Sequence, residues 1–180
     1  MDYPKMTQEE LEYTVWELKQ KDLILETMSD YWWYMDSKQW DKWVDVFTED
    51  LQVYFDDCLA VEGRENFKAQ NIKWLTPSNT AHQGHQPRIV ITSPTTATGR
   101  IILNDMLQNK EAPHSMTAGY GFYFDDFRLC EDGKWRISVI RLGYFQKANI
   151  NEGGKASTEV HTELEIAEDE DWVSENLLLF

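Results

Sequence analysis

Basic residues are scarce in this chain of 180 residues, which has 17 Lys and Arg against 32 Asp and Glu and a net charge of −15. The imbalance is largest at the end, because residues 156–180 contain eight acids and no Lys or Arg. A protein needs clustered cations to bind nucleic-acid phosphates or an anionic membrane surface. We therefore expect neither nucleic acid nor a membrane as a partner.

Cysteines and long hydrophobic runs are equally scarce. The two cysteines, Cys58 and Cys130, cannot form the framework of a disulfide-rich secreted domain, which favours reduced thiols in the cytoplasm. No stretch approaches the roughly 20 apolar residues of a membrane span, and the first five residues lack the basic start of a secretion signal. The chain also has no GxGxxG, phosphate-loop, CxxC or GxSxG motif, so we expect no cofactor and no thiolate metal site.

Aromatic residues are abundant by contrast, with eight Trp, eight Tyr and eight Phe. This share is too high for a disordered chain. It indicates either a large core or a cavity lined by flat rings, which would bind a hydrophobic substrate.

Helical signals come first along the chain. Residues 7–10 match a capping box, in which Thr7 caps the helix and Glu10 reaches back. The pattern ends at Asp36 and Ser37, either of which could cap a second helix. Apolar residues recur along the first helix at the spacing of one buried face: Leu11, Val15, Leu18, Leu25, Met28, Trp32 and Met35. The second helix would bury Trp40, Trp43, Val44 and Phe47.

Strand signals follow the helices. The sequence predicts a strand at 51–55 and then a short helix from Glu62 to about Trp74. Four extended runs follow, at 81–92, 96–107, 118–130 and 135–146. An Asp132-Gly133 hairpin turn joins the last two runs. This order predicts an α+β fold. A strongly curved antiparallel sheet would carry the N-terminal helices on its concave side and form a cone-shaped pocket. We predict one domain over residues 1–148 and an acidic C-terminal tail over residues 149–180.

His82 and His85 are the first candidates for chemistry. Residues three apart in a strand point to opposite faces, so one metal ion would not reach both side chains. We expect one imidazole in the interior and the other packed or in solvent. The alternative is that neighbouring groups satisfy both rings and neither ring does chemistry.

Tyr31, Asp36 and Asp105 are the other candidates. Tyr31 could belong to a core stripe and Asp36 could be a helix N-cap. A carboxylate at the helix corner could instead accept a hydrogen bond from an imidazole, which would fix the ring's tautomer and favour its protonated form. Asp105 shares a strand face with Leu103, where a carboxylate must be paired, neutralised or functional. The alternative is that the strand ends at Asn104 and Asp105 lies in a loop.

Three more charged residues fall in the predicted strands. Arg141 alternates with apolar residues, which favours a buried salt bridge. Asp125 and Asp126 are adjacent and so face opposite sides of a strand. We expect one of these two carboxylates to be solvated.

Several motifs together resemble the SnoaL-like branch of the nuclear transport factor 2-like (cystatin-like) superfamily over about residues 10–146. The motifs are Asp36-Ser37-Lys38-Gln39-Trp40-Asp41, Phe47-Thr48-Glu49-Asp50, Glu62-Gly63-Arg64-Glu65, a His, and Asp132-Gly133-Lys134-Trp135-Arg136-Ile137. The resemblance implies a cystatin-like fold. It leaves the activity open, because the superfamily includes dehydratases, isomerases, cyclases, epoxide hydrolases and non-catalytic subunits.

A narrower resemblance is to the bacterial bile-acid 7α-dehydratases and, around Asp36 and His82, to scytalone dehydratase. The motifs that carry it are His82-Gln83-Gly84-His85-Gln86-Pro87, Thr95-Thr96-Ala97-Thr98-Gly99-Arg100 and Asp105. The active-site tyrosine, corner aspartate, histidine and later aspartate of the 7α-dehydratases match Tyr31, Asp36, His82 and Asp105. Their arginine on the last strand has no match, since its place falls near residues 144–146.

This resemblance implies a cofactor-free dehydratase, a lyase that removes water from a hydroxylated hydrophobic polycycle such as a hydroxysteroid. His82 would be the base and Asp36 would orient it. Tyr31 would donate to the developing enolate or to the leaving hydroxyl, and Asp105 would act as an acid if its apolar setting keeps it protonated, or else organise water. The same residues could serve an isomerase or cyclase, and the fold also occurs as the non-catalytic small subunit of ring-hydroxylating dioxygenases. Relatives pack through the outer face of the sheet, so we expect a homo-oligomer, a trimer or a dimer.

Overall fold

The first helix begins where the capping box predicts. The structure, a computed structural model, describes residues 5–55, 58–151, 153 and 155–160. Helix α1 (Gln8–Asp36) is capped by Thr7, whose hydroxyl accepts from the Glu10 N–H at 3.2 Å while its own N–H donates to the Glu10 carboxylate at 2.6 Å. These reciprocal bonds satisfy two backbone donors that the first turn of a helix leaves unpaired.

Only the second half of α1 is covered by the rest of the fold. Leu11, Val15 and Leu18, predicted to be buried, are 47%, 58% and 61% exposed. Helical spacing identifies an apolar face but not whether another element covers it. The sheet first reaches the helix at Gln20, whose side-chain oxygen accepts from the Trp135 indole N–H at 2.9 Å. The buried residues of α1 are Gln20, Ile24, Met28, Tyr31 and Met35.

Short helical elements complete the N-terminal layer. Helix α2 (Trp40–Trp43) and the 3₁₀ turn Val44–Val46 follow the corner after α1. Helix α3 (Arg64–Leu75) lies close to its predicted position and follows Gly63, which has a φ of 82° that glycine adopts without strain. Trp43 and Val44 are buried as predicted.

The strands form one curved sheet against these helices. Their bounds are β1 Phe47–Phe55, β2 Cys58–Glu62, β3 Ser78–Ser93, β4 Thr96–Asn109, β5 Met116–Leu129, β6 Trp135–Ile150 and β7 Ala156–Val160. The order is β2-β1-β6-β5-β4-β3, and β7 also pairs with β6. The predicted α+β layout and the four extended runs are confirmed. The sheet is mixed rather than wholly antiparallel, because β1 runs parallel to β6.

The predicted division of the chain at residue 148 falls inside β6. Asn149 and Ile150 still pair with β5, and β7 then pairs with the end of β6. Residues 161–180 lie outside the described part of the chain, so the acidic tail stays a prediction there.

Alternation along β4 defines the two faces of the sheet. Ile101, Leu103 and Asp105 are buried on the inner face, where α1 packs, whereas Ile102 and Met106 are more than a third exposed on the outer face. Aromatic rings fill much of the core beside the inner face, and they include Tyr31, Trp43, Phe47, Phe67 and Tyr123. Some of the abundant aromatic residues are therefore core residues, as one of the two interpretations predicts.

Candidate active site

His82 and Asp36 form a bonded pair between β3 and the end of α1. The His82 side chain is 8% exposed, and its Nδ1 lies 2.7 Å from Asp36 Oδ1. The backbone N–H of His82 also donates to Asp36 Oδ2 at 2.8 Å. With Nδ1–H bonded to the carboxylate, a neutral ring carries its lone pair on Nε2 and can accept a proton there.

Asp36 does not cap the second helix. It is the last residue of α1, whereas α2 begins after Gln39. Burial alone would raise the pKa of Asp36. Hydrogen bonds from the His82 ring and backbone, the charge of His82 and a bond from Thr80 together lower that pKa below its ordinary value of 3.8. The carboxylate is thus ionised at neutral pH and can stabilise an imidazolium.

Thr80 and Lys38 support this carboxylate, and the sequence reasoning missed both. The Thr80 hydroxyl donates to Asp36 Oδ1 at 2.8 Å, and Lys38 Nζ donates to the Thr80 oxygen at 2.6 Å. Thr80 shares a strand face with His82, two residues away, so period-two alternation could have suggested its role. Burial lowers the pKa of Lys38, against an opposing effect of the Asp36 charge.

Asp105 lies beside His82 on the inner face. It is 3% exposed and is the direct partner of His82 in the antiparallel ladder of β3 and β4. Residues opposite each other in such a ladder point to the same face, with Cβ atoms about 5 Å apart. The strand interpretation of Asp105 therefore holds, and the loop alternative does not.

Tyr144, on β6, also reaches Asp105. Its hydroxyl donates to Asp105 Oδ2 at 2.5 Å, and Lys147 Nζ lies 4.3 Å from the centre of its ring. Tyr144 is thus a further polar group of this site. The sequence reasoning had only noted that an expected arginine was missing near this position.

Tyr31 lies in the aromatic core next to these groups. It is 4% exposed, stacks on Trp43 with ring centres 5.9 Å apart, and meets Phe47 and Tyr123 edge to face. Burial raises the pKa of Tyr31 well above its usual value of 10, and the Asp125, Asp105 and Asp36 charges act in the same direction. Its hydroxyl therefore stays protonated.

A family model for the SnoaL-like domain matches residues 16–141. The chain belongs to the SnoaL-like family. This confirms the resemblance of the sequence to the SnoaL-like branch and, together with a solved structure of cystatin-like fold, the predicted architecture.

Solved structures share the fold of this SnoaL-like protein. A Novosphingobium aromaticivorans DSM 12444 protein, provisionally named a scytalone dehydratase, is 21% identical with a TM-score of 0.68, over 83% of this chain and 93% of that one. A hexachlorocyclohexane dehydrochlorinase, LinA type 2, is 15% identical with a TM-score of 0.64, over 83% and 97%. An NTF2-like protein with a cystatin-like fold from Novosphingobium aromaticivorans is 18% identical with a TM-score of 0.61, over 78% and 92%. At these identities the likeness shows the fold.

The predictions for the remaining charged residues of the SnoaL-like sheet are confirmed only in part. Asp126 pairs with Arg141 at 3.0 Å on the outer face, where both side chains are partly exposed. The prediction of a solvated aspartate is confirmed, whereas the prediction that Arg141 forms a buried salt bridge is wrong. The alternation of side chains along a strand predicts which residues share a face with Asp126 and Arg141. It does not predict which of the two faces the helices cover.

Asp125 is an isolated carboxyl inside the SnoaL-like core. It is 1% exposed, and neither oxygen makes a hydrogen bond of normal geometry with the described residues. Burial raises its pKa well above 3.8, and the neighbouring Asp126 charge adds to the effect. The group is more stable there without its charge.

His85 does not share a site with His82. It is exposed, whereas the His82 ring is almost fully enclosed, so the expectation of one interior and one outward imidazole is confirmed. Among the residues that the structure describes, no group of three or more His, Cys, Asp or Glu side chains could hold a metal ion. No helix in the described ranges is long and apolar enough to cross a bilayer.

A polar cleft of about 590 Å³ lies away from these groups. Its lining includes Arg64, Arg128 and Arg136 together with several acids. Arg128 pairs with Asp50 and Arg136 with Asp132. Since its cations already face carboxylates, the cleft offers less for chemistry than the His82 site.

Proposed function

We propose that this protein is a cofactor-free dehydratase that removes water from a hydroxylated hydrophobic polycycle such as a hydroxysteroid. The observation that carries the proposal is the His82–Asp36 pair on the inner face, with Asp105 opposite His82 in the ladder of β3 and β4. The dehydratase and dehydrochlorinase names among proteins of the same fold agree with an elimination reaction. The two free thiols, Cys58 and Cys130, support a cytoplasmic location.

His82 would act as the general base. Its Nε2 takes the proton from a carbon next to, or conjugated with, a carbonyl, and the electron pair moves into an enolate. Asp36 holds the ring in the required tautomer and stabilises the imidazolium that forms. A positioned base of this kind contributes on the order of 10² to 10⁴ in rate.

Asp105 and Tyr31 would act on the oxygen atoms of the substrate. Asp105 would be the acid for the leaving hydroxyl, or would organise water there. Tyr31 would donate to the developing enolate oxygen, because its raised pKa keeps the hydroxyl protonated. Trp32, which is only partly buried where it packs against the aromatic core, favours a flat hydrophobic substrate over a small polar one.

Mass spectrometry of a panel of hydroxysteroids incubated with the pure protein tests the proposal. We expect at least one compound to lose the mass of one water molecule in a protein-dependent reaction. A product of unchanged mass would indicate an isomerase or cyclase, since enolate formation is common to these reactions. Purification with a larger iron–sulfur partner and no turnover would indicate a dioxygenase subunit instead.

We further propose that the protein is a homotrimer, with a homodimer as the alternative, assembled through the outer face of the sheet. A row of aromatic side chains lies there, with Phe122 in ring contact with Phe124 and Phe145, and Tyr120 is 41% exposed. An exposed apolar surface of this kind is typical of an interface.

Sedimentation of the wild-type protein should give close to three times the chain mass of 21.2 kDa. Phe122→Asp should reduce that mass to one chain, because it places a charge in the centre of the aromatic row. Trp33→Asp is the matched control, since Trp33 is 65% exposed on α1, and it should leave the oligomer intact. A wild-type mass near 21.2 kDa would exclude the assembly.

A further inference from the structure

The hydrogen bond between Tyr144 and Asp105 crosses an intervening strand. Asp105 is on β4 and Tyr144 on β6, and β5 lies between them. Neighbouring strands are about 4.8 Å apart, so the two backbones are separated by about 10 Å. A tyrosine side chain that lies over the sheet can bridge this distance, provided that the middle strand has no side chain in the way.

Gly119 supplies that space. It is the ladder partner of Asp105 on β4 and of Lys147 on β6. A Cβ atom at position 119 would overlap both the Asp105 carboxylate and the Tyr144 ring. The glycine therefore permits a contact that any other residue in this strand position would disrupt.

The two tyrosines near Asp105 differ in their surroundings. Tyr31 is 4% exposed, and its ring is enclosed by the rings of Trp43, Phe47 and Tyr123. Tyr144 is only half-buried, and its hydroxyl bonds the carboxyl that lies beside the proposed base. Of the two tyrosines, Tyr144 is thus the better placed to transfer a proton together with Asp105.

We infer that Tyr144 is a catalytic residue whose hydroxyl contacts the leaving hydroxyl of the substrate and carries a proton to it from Asp105; this rests on the proposed dehydratase function. His82–Asp36 would then form the basic pair of the site and Tyr144–Asp105 the acidic pair.

The step balances within these four groups and the substrate. His82 Nε2 takes the C–H proton, and the electrons of that bond form the new C=C bond. In the reacting form Asp105 carries a proton and donates it to Tyr144, which reverses the hydrogen bond that Tyr144 otherwise donates to Asp105. The C–O bond breaks with its electron pair on oxygen, Tyr144 gives its proton to that oxygen, and Asp105 gives its proton to the Tyr144 oxygen. Water leaves, and exchange with water then removes the proton from the His82 imidazolium and restores the proton of Asp105, so the site returns to its starting form.

The leaving group provides the test, because chloride departs without a proton. The probes are a β-hydroxy ketone steroid and the matching β-chloro ketone. We expect Tyr144→Phe to lower kcat for loss of water by about 10²- to 10⁴-fold with little change in KM, and to eliminate chloride at close to the wild-type rate. Asp105→Asn should show the same pattern, and His82→Ala should lose both reactions.

Tyr120→Phe is the matched control, since Tyr120 is a neighbour of Gly119 on the outer face of the sheet, and it should leave both rates unchanged. Chloride elimination by Tyr144→Phe also shows that this variant is folded. Loss of water by Tyr144→Phe at near the wild-type rate, or equal loss of both reactions, would overturn the inference alone. A wild-type protein that eliminates neither group would overturn the proposed function as well.

Discussion

Replacing His82 with Ala is expected to lower the rate at which the protein dehydrates a hydroxysteroid substrate by roughly 10²- to 10⁴-fold or more, the usual contribution of a positioned base. The fold should persist, because the backbone N–H of residue 82 still donates to Asp36 Oδ2 and β3 keeps its ladder to β4. Initial rates of product formation, with circular dichroism as the check on folding, measure the effect.

His85→Ala is the matched control for this prediction. It removes the same side chain from the same strand, three residues further along, at an exposed position. We expect activity close to that of the wild type. If His82→Ala is folded and nearly as active as the wild type, His82 is not the base.

Asp125→Asn is expected to make the protein more stable at pH 8 than the wild type. The folded-state pKa of Asp125 is raised, so between pH 3.8 and that raised value the unfolded chain is ionised while the folded chain retains its proton. Wild-type stability therefore falls as pH rises through this window, and Asn does not titrate. The free energy of unfolding of Asp125→Asn should therefore exceed that of the wild type by an amount that grows as the pH rises through this window.

Urea denaturation at several pH values between 5 and 8 checks the sign as well as the size of this effect. The advantage of Asp125→Asn should shrink as the pH falls towards 3.8, where the unfolded chain begins to bind the proton that the folded chain retains. Asp126→Asn is the control on the other side of the strand, and loss of its exposed ion pair should cost under about 1 kcal/mol. A less stable Asp125→Asn at pH 8 would show that the Asp125 carboxylate makes a stabilising contact.

The parts of the fold that follow from neighbouring residues could be predicted from the sequence. The Thr7 capping box, the Asp132-Gly133 turn and the long strands depend on bonds between nearby residues or on a period of two along one strand. The same alternation placed Asp105 on an apolar face and separated His82 from His85.

The other parts depend on which element covers which surface. Leu11 and Leu18 have the spacing of a buried face, but the sheet ends before it reaches them. Alternation along β6 shows which neighbours share a face with Arg141, but it does not show whether that face is covered or exposed. Tyr144 meets Asp105 across a third strand, and a contact of that kind leaves no local signal in the sequence.

Gly119 has a consequence for how this site can change over evolutionary time. Because a single added methyl group would collide with the acid and with the tyrosine together, position 119 tolerates no gradual enlargement. Gly84 imposes the same restriction beneath the Trp32 ring. A change in the shape of the inner face must therefore arise at other residues that line it, while these two glycines stay fixed.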